Sequence, residues 1–490
     1  MSEERAKRGR SQAAAQAAAL PLRKLARNAL WLGGGELLGR LIGFAVAVYL
    51  ARVLGAAGYG ALGVAFALVS YLLVTVDLGL DPFVVQRVAR DPAGLPSLLP
   101  QVVKLRLAAS LGAYALLAVL SSILPSQVVG GKELALIYGG RLFSAALKAN
   151  WALRGRDEMG QVAAGMLLQN LLYAAGIFAL VRCPEPSAIR VPILFMAGEA
   201  VLVLWYLGRL KAAYPRLWGA PAQHGMAGIL LRDSLPVAAS KTLRLGFYEG
   251  DLLLLAWLST AAQAGFFLVG HRIVIALASV ALLFQQSAFP SLSRLSEERV
   301  GRALDFQRSV SRGILLCFMP PIVTGAVLAD PLVRLLFGEA FAPAGAILST
   351  SLAAVPLLAL SAGLHNCQLA RGRPRAVLAA TGAGALVHLL LGLAWIPGSG
   401  GLGAARALVC GEAVVLLLSS LLLWKRWRVL AVDAATLWIL AASGLMAATL
   451  WQSEGIWLGW RLLLGLAAYL GAVLFSGALR PHELRRLLER

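Results

Sequence analysis

The chain has 490 residues, 59% of them hydrophobic and 14% charged, with a mean hydropathy of +0.75. Soluble domains carry about 25% charge, so a water-soluble globular protein is excluded and length-based domain counting does not apply. The formal net charge of +21 is spread over many short loops without aromatic interleaving, which points to the positive-inside bias of a membrane protein and away from nucleic acid.

Residues 1–27 are basic and Ala-rich and read as a cytoplasmic tail. The next stretch, NALWLGGGELLGRLIGFAVAVYLAR at 28–52, is long enough to cross a bilayer. It lacks a cleavage site and is too long for a signal-peptide core, so it stays in the membrane. Glu36 and Arg40 lie near its middle, four residues apart and thus on one helix face. Beside them runs a small-residue stripe, Gly35, Gly39, Gly43, Ala47 and Ala51, of the kind that lets another helix approach closely. Ionisable residues at membrane depth face protein or a watery cavity. One face of this helix therefore packs, and its neighbour lines something polar.

About fourteen segments are long enough to span: 28–52, 57–80, 105–125, 133–153, 161–182, 188–210, 233–257, 263–290, 311–330, 345–369, 376–397, 401–424, 431–451 and 456–479. Basic residues fill every second loop. Arg87, Arg90, Lys104 and Arg106 follow the second span, Arg154 and Arg156 the fourth, Arg371, Arg373 and Arg375 the tenth, and Lys425, Arg426 and Arg428 the twelfth. The intervening loops hold few cations. This alternation places both termini in the cytoplasm. The stretch SLSRLSEERVGRALDFQRSVSR (291–312), with Leu295, Val300 and Leu304 among charges, reads as an amphipathic surface helix. A faint repeat relates YLARVLGAAGYGAL (49–62) to LLAWLSTAAQAGFF (254–267); in that register Glu36 falls on Lys241 and Gly39 on Arg244. Repeat-built bundles with polar sites between halves are typical of transporters.

The polar residues inside the spans concentrate on a few faces. The seventh carries Lys241, Arg244, Tyr248 and Asp251 at helical spacing, and the fourth carries Arg141, Ser144, Lys148 and Trp151. The eighth adds His271 and Arg272, the sixth Glu199, the eleventh His388, and the twelfth Arg406 and Glu412. Cations outnumber acids through the first eight spans. Structural ion pairs are one reading, but Lys241 and Arg244, one turn apart, call for an anion or for solvent. No Walker loop, GxSxG or HExxH is present, and Cys183, Cys317, Cys367 and Cys410 form no metal-ligand spacing. No catalytic residue, metal or cofactor is expected, and the chain reads as a non-enzyme.

The run ARVLGAAGYGALGVAFALVSYLLVTVDLGLDPFVVQRVARD (51–91) resembles the first two spans of the polysaccharide flippases, relatives of the lipid II flippases and multidrug extruders. Their superfamily is the multidrug/oligosaccharidyl-lipid/polysaccharide exporters. Similar support comes from residues 250–273, FPSLSRL (289–295), PLVRLLFGEAFAPAGAIL (331–348) and LARGRPR (369–375). Where that family often has an aromatic hydroxyl at the start of the eighth span, this chain has Phe266–Phe267.

The resemblance implies an all-α polytopic protein with two pseudo-symmetric six-helix lobes and two extra C-terminal helices. In this numbering the lobes are 28–210 and 233–424, joined by a cytoplasmic linker at 211–232, with 425–490 as the last two spans and a tail. It implies a cavity between the lobes, opening alternately to each side, and a cargo of polyprenyl-diphosphate-linked sugar moved from inner to outer leaflet of the cell membrane. A cationic diphosphate site is expected from Arg40, Lys241, Arg244 and Arg272, with Arg141 and Lys148 as further members, and Glu36, Asp251 and His271 as coupling or switch residues. Expected partners are the lipid-linked sugar, membrane lipid, a polysaccharide polymerase and glycosyltransferases, with the chain itself a monomer. The alternatives are a lipid II flippase, a multidrug exporter and a membrane-embedded sugar polymerase.

Overall fold

The structure is a computed structural model that describes residues 2–123, 131–182, 187–215, 217, 234, 250–298, 300–427 and 433–476. Among these there is no β-strand, and the expected all-α class is what the chain adopts. The helices are α1 (Ser2–Asp77), α2 (Asp81–Arg90), α3 (Leu95–Ile123), α4 (Gly131–Leu147), α5 (Asn150–Gly155), α6 (Met159–Leu180), α7 (Arg190–Ala213), α8 (Ala261–Glu298), α9 (Val300–Val327), α10 (Ala329–Phe337), α11 (Ala344–Leu352), α12 (Ala354–Ala370), α13 (Pro374–Trp427), α14 (Ala434–Gln452) and α15 (Leu458–Phe475).

Ten helical stretches among the described residues are long and apolar enough to cross a bilayer. Two of them, Leu37–Asp77 with 41 residues and Pro374–Trp424 with 51, are double length, since one crossing takes roughly 20. Each breaks at a glycine with positive φ, Gly55 (φ 68, ψ 177) and Gly400 (φ 54, ψ −131). A Cβ is excluded from such backbone, so each stretch is two spans joined by a tight turn. The predicted fourth span is present but interrupted, α4 ending and α5 restarting around Lys148–Ala149. Residues 250–258 are helical and close the predicted seventh span. Among the described residues this makes thirteen spans, with the helical end of a fourteenth. The tenth divides into α11 and α12 because Pro356 lacks the N–H that would bond the Leu352 carbonyl.

One expectation is corrected. Residues 291–312 do not form a separate surface helix. They are the C-terminal end of α8 and the N-terminal end of α9, with Arg299 outside the described residues. Leu292, Ala303 and Leu304 are buried against Leu364, Cys367 and Leu423. The charges between them gave the stretch its surface character, but a helical hairpin buries one side just as well.

The chain divides into two compact units. Unit 1 is Met1–Leu54 with Val64–Gly250, and unit 2 is Gly55–Gly63 with Asp251–Arg490. Within unit 1, the stripe on α1 packs on α6: a Cβ at Gly35 would sit 3.0 Å from Ala163 Cβ, and one at Gly39 would sit 2.7 Å from Asn170 Nδ2. Gly43 has open space, so two of the three glycines pack closely. Within unit 2, the segment Gly55–Gly63 crosses α8 by a reciprocal contact. A Cβ on Gly60 would meet the Ala261 carbonyl oxygen at 1.8 Å, and one on Gly265 would meet that of Ala56 at 2.1 Å. Gly60 and Gly265, and Ala56 and Ala261, are equivalent in the repeat register read from the sequence. The contact is thus isologous, each repeat offering the other the same pair of small residues.

Candidate functional site

In unit 1 the polar face of the fourth span closes on one acid. Glu199, on α7, is 1% exposed. Lys148 Nζ donates to its Oε1 at 2.8 Å, the Ser144 hydroxyl donates to its Oε2, and Arg141 Nε lies 3.6 Å from Oε1. Lys148 sits where α4 breaks, so the interruption falls beside the carboxylate. Arg141 is held between two rings, with its guanidinium carbon 5.3 Å from the Phe66 centroid and 5.1 Å from that of Phe195. Those rings belong to a run of edge and tilted contacts, Phe66–Tyr138, Tyr138–Phe195 and Phe195–Tyr173. Two cations meet one carboxylate, and both keep 22% of their side-chain surface open. The arrangement fixes a surplus positive charge beside apolar ring faces. It can accept an anion whose neighbouring groups stack on rings.

A second ionic group in unit 1 lies at the turn that follows the second span. Arg106, read from the sequence as a loop cation, is instead 3% exposed. Its Nη2 donates to Asp77 at 2.8 Å and to Asp81 at 2.7 Å. Those acids flank the DLGLD turn, in which Leu78 (φ 52) and Gly79 (φ 68) take left-handed backbone. The buried leucines and valines of α2 and α3, with Trp151, pack around it. This is a structural clamp. The signal available in the sequence was a pair of aspartates four apart around a glycine turn, with an arginine just inside the next span.

Unit 2 holds other predicted residues. Asp251 is 1% exposed and its Oδ1 lies 2.9 Å from Nε2 of His388, itself 5% exposed. His271 is buried and stacks on Phe267, with centroids 5.1 Å apart. Arg272 is exposed and lies over the Tyr59 ring at 5.8 Å. Tyr59 belongs to an aromatic cluster with Phe341, Phe266 and Phe337. Arg40 is exposed on α1 in unit 1, next to Gly39. Lys241 and Arg244 lie outside the described residues, as does the Glu36 side chain.

Of the expected cations, the structure therefore brings Arg141 and Lys148 together, on Glu199. Arg40 lies on α1, and Arg272 belongs to unit 2. Sequence reasoning missed Phe66, Tyr138 and Phe195 as a setting for Arg141, because their facing depends on three different helices. It also missed the pairing of Asp251 with His388, 137 residues apart.

Among solved structures, the chain is similar to the lipid II flippase MurJ in an inward closed conformation. The TM-score is 0.69 at 13% identity, over 94% of this chain and 99% of that one. It is also similar to an inward-facing multidrug resistance MATE transporter of the MOP superfamily, with TM-score 0.64 and 17% identity over 80% and 94%. A third is a MOP superfamily transporter from Pyrococcus furiosus described as having a binding pocket of reverse polarity, with TM-score 0.54 and 17% identity over 83% and 96%. At these identities the likeness is one of fold. No curated protein matches the sequence. Residues 25–296, more than half of the length, match the polysaccharide biosynthesis protein family, and the chain belongs to that family.

Proposed function

We propose that this membrane protein moves a polyprenyl-diphosphate-linked oligosaccharide or polysaccharide repeat unit from the inner to the outer leaflet by alternating access. The observation that carries the reading is the Glu199 cluster. One acid is met by two cations that stay partly open, with Arg141 set between Phe66 and Phe195. A diphosphate supplies the missing negative charge, and Arg or Lys meets phosphate through charge-assisted hydrogen bonds worth roughly 1.5–3 kcal/mol each. The ring faces offer a stacking surface for sugar. Arg40, Arg272, Lys241 and Arg244 complete the proposed cationic set, and Glu36, Asp251 and His271 are proposed as switch or coupling residues.

The proposed lobes are spans 1–6 and 7–12, followed by spans 13 and 14. The proposed setting is the cell membrane, with both termini inside, because basic loops alternate with neutral ones. Glycosyltransferases and a polymerase would supply and consume the cargo, and the chain would act as a monomer.

Lipid II flipping is the second reading, since lipid II is also a diphosphate and the likeness to its flippase spans nearly both chains. A multidrug exporter is disfavoured by the surplus positive charge of the cluster, which would repel organic cations.

The test is complementation of strains lacking either a polysaccharide flippase or a lipid II flippase, with membrane levels checked by blot. Rescue of the first and not the second supports sugar export. Replacing Arg141 and Lys148 together by Gln should abolish rescue while the protein still accumulates. Full export by that double variant would place the diphosphate elsewhere.

A further inference from the structure

One end of unit 2 holds a cavity away from its ionic residues. The hairpin of α14 and α15 is tied to α9 at two places. Arg312 Nε lies 3.6 Å from an Asp433 carboxylate oxygen at the start of α14, and the Tyr469 hydroxyl of α15 donates to the Leu316 carbonyl at 3.1 Å. Beyond Leu316 a gap opens. Ala326 and Val327 at the end of α9, Ser349 of α11, and Ala447, Ala448 and Trp451 near the end of α14 line an open cavity of about 410 Å³. Pro320 and Pro321 stand between the closed and the open stretch of α9. Each removes a donor from the helical ladder, so a helix bends most easily there.

The three lining helices belong to stretches long and apolar enough to cross a bilayer, Gly301–Val327, Ala344–Ala370 and Ala434–Gln452. Alanines on facing helices usually let the helices touch, yet here the space between them is left. Packed proteins keep few voids larger than a water molecule, and this one falls in the roughly 300–1,000 Å³ range of small-molecule sites. At bilayer depth the medium on offer is lipid hydrocarbon rather than water. The rim adds a cation. Arg461 of α15 donates through Nε to the carbonyl of Leu450, the residue before Trp451, at 2.6 Å, and a guanidinium fork suits phosphate. Trp451, Trp457 and Trp460 are exposed close to it in the chain, as tryptophans at a membrane interface are.

We propose that this cavity binds one acyl chain of a bilayer phospholipid, with the lipid phosphate on Arg461. The chain fills the gap beyond the prolines and completes the docking of the α14–α15 hairpin on α9. A phospholipid fits better than the longer tail of a polyprenyl lipid, because the lining on α14 covers only Ala447 to Trp451, a rise of roughly 6 Å. Under the topology proposed above, the lipid comes from the outer leaflet. The site stands whatever cargo the protein carries.

The test is native mass spectrometry of the purified full chain, washed in detergent and then given dioleoyl phosphatidylglycerol. One phospholipid per chain should be retained, and the added lipid should raise the melting temperature. The double variant Ala447→Leu with Ala448→Leu fills the cavity from one wall. It should melt at or above wild type without lipid, retain none, and gain nothing when lipid is added. Ser349→Leu fills it from the opposite wall and should also lose retention, which covers a double variant that does not fold. Arg461→Gln should weaken retention roughly tenfold, the loss of one charge-assisted contact. No lipid on wild type, or retention by a folded filled variant equal to that of wild type, overturns the proposal. Unchanged retention in Arg461→Gln overturns the phosphate contact. Preference for decaprenyl diphosphate over phosphatidylglycerol at equal concentration would give the groove to the cargo and overturn it as well.

Discussion

Among the described residues, the two buried ionic groups differ in make-up. In unit 1 one carboxylate, Glu199, meets two cations; in unit 2 the Asp251 carboxylate meets the His388 imidazole, with Glu412 also buried on α13. Their surroundings differ as well. Arg141 and Lys148 are each 22% exposed, whereas Asp251, His388 and Glu412 are enclosed. A surplus charge that reaches the surface can recruit a solute ion. An ionic pair enclosed on all sides is closed to such an ion and acts first on packing. Access, more than residue type, separates the two groups.

This contrast can be broken by mutation. The reference is Arg106, where one enclosed cation holds two acids. Arg106→Ala removes the cation that binds both Asp77 and Asp81, and removing one member of a buried ion pair costs about 3–5 kcal/mol. A large fall in melting temperature in detergent is expected, with partial recovery in Arg106→Lys, which restores charge but not the fork. Glu199→Gln comes next, at about 3 kcal/mol, the low end of the same range because its two cations keep some contact with water. Equal melting temperatures for Glu199→Gln and wild type would mean that the cations do not need their acid.

A smaller effect is expected outside the spans. Asp433 caps α14, accepting from the Thr436 backbone N–H and hydroxyl at 2.9 and 2.7 Å, with Arg312 nearby. Burial pushes its carboxyl up, but the Thr436 bonds and the Arg312 and Arg308 charges outweigh this and hold it below the usual carboxylate range. A depressed folded-state value stabilises above the ordinary aspartate range and is lost as pH falls through the folded value. Asp433→Ala should therefore cost about 1 kcal/mol at neutral pH, and the difference from wild type should shrink in strong acid. A gap that widens on acidification would reverse the sign. The smallest effect belongs to Glu412→Gln, because removing an enclosed charge also removes its desolvation cost. Its melting temperature should match or slightly exceed that of wild type. A fall comparable to that of Glu199→Gln would erase the distinction between the two groups.

The spans were legible because their signals are local. Hydropathy runs and alternating basic loops need no knowledge of packing, and the breaks at Gly55 and Gly400 lie at glycine-rich turns. The charged stretch at 291–312 misled, because charges on one side of a long helical hairpin look like those of a surface helix. Pairing was less legible. Ser144 and Lys148 share a helix face, which was readable, but the acid they meet lies 55 and 51 residues away on α7. Arg106 counted as a loop cation because its depth depends on how α2 and α3 pack. Asp251 and His388 were each visible as polar residues in apolar surroundings, and only the fold joins them.

The reciprocal crossing of Gly60 and Gly265 has a consequence for biosynthesis. Unit 2 begins with Gly55–Gly63 and resumes only at Asp251. Translation at roughly 5–20 residues per second leaves the first piece waiting about 10–40 s for α8. Throughout that interval the face that will later touch the Ala261 carbonyl is covered by lipid or by the insertion machinery. Unit 2 cannot finish folding in the order of synthesis. Its first segment is made before most of unit 1 and packed only afterwards, so a ribosome stalled before α8 releases a chain whose Gly60 face is open to the wrong partner.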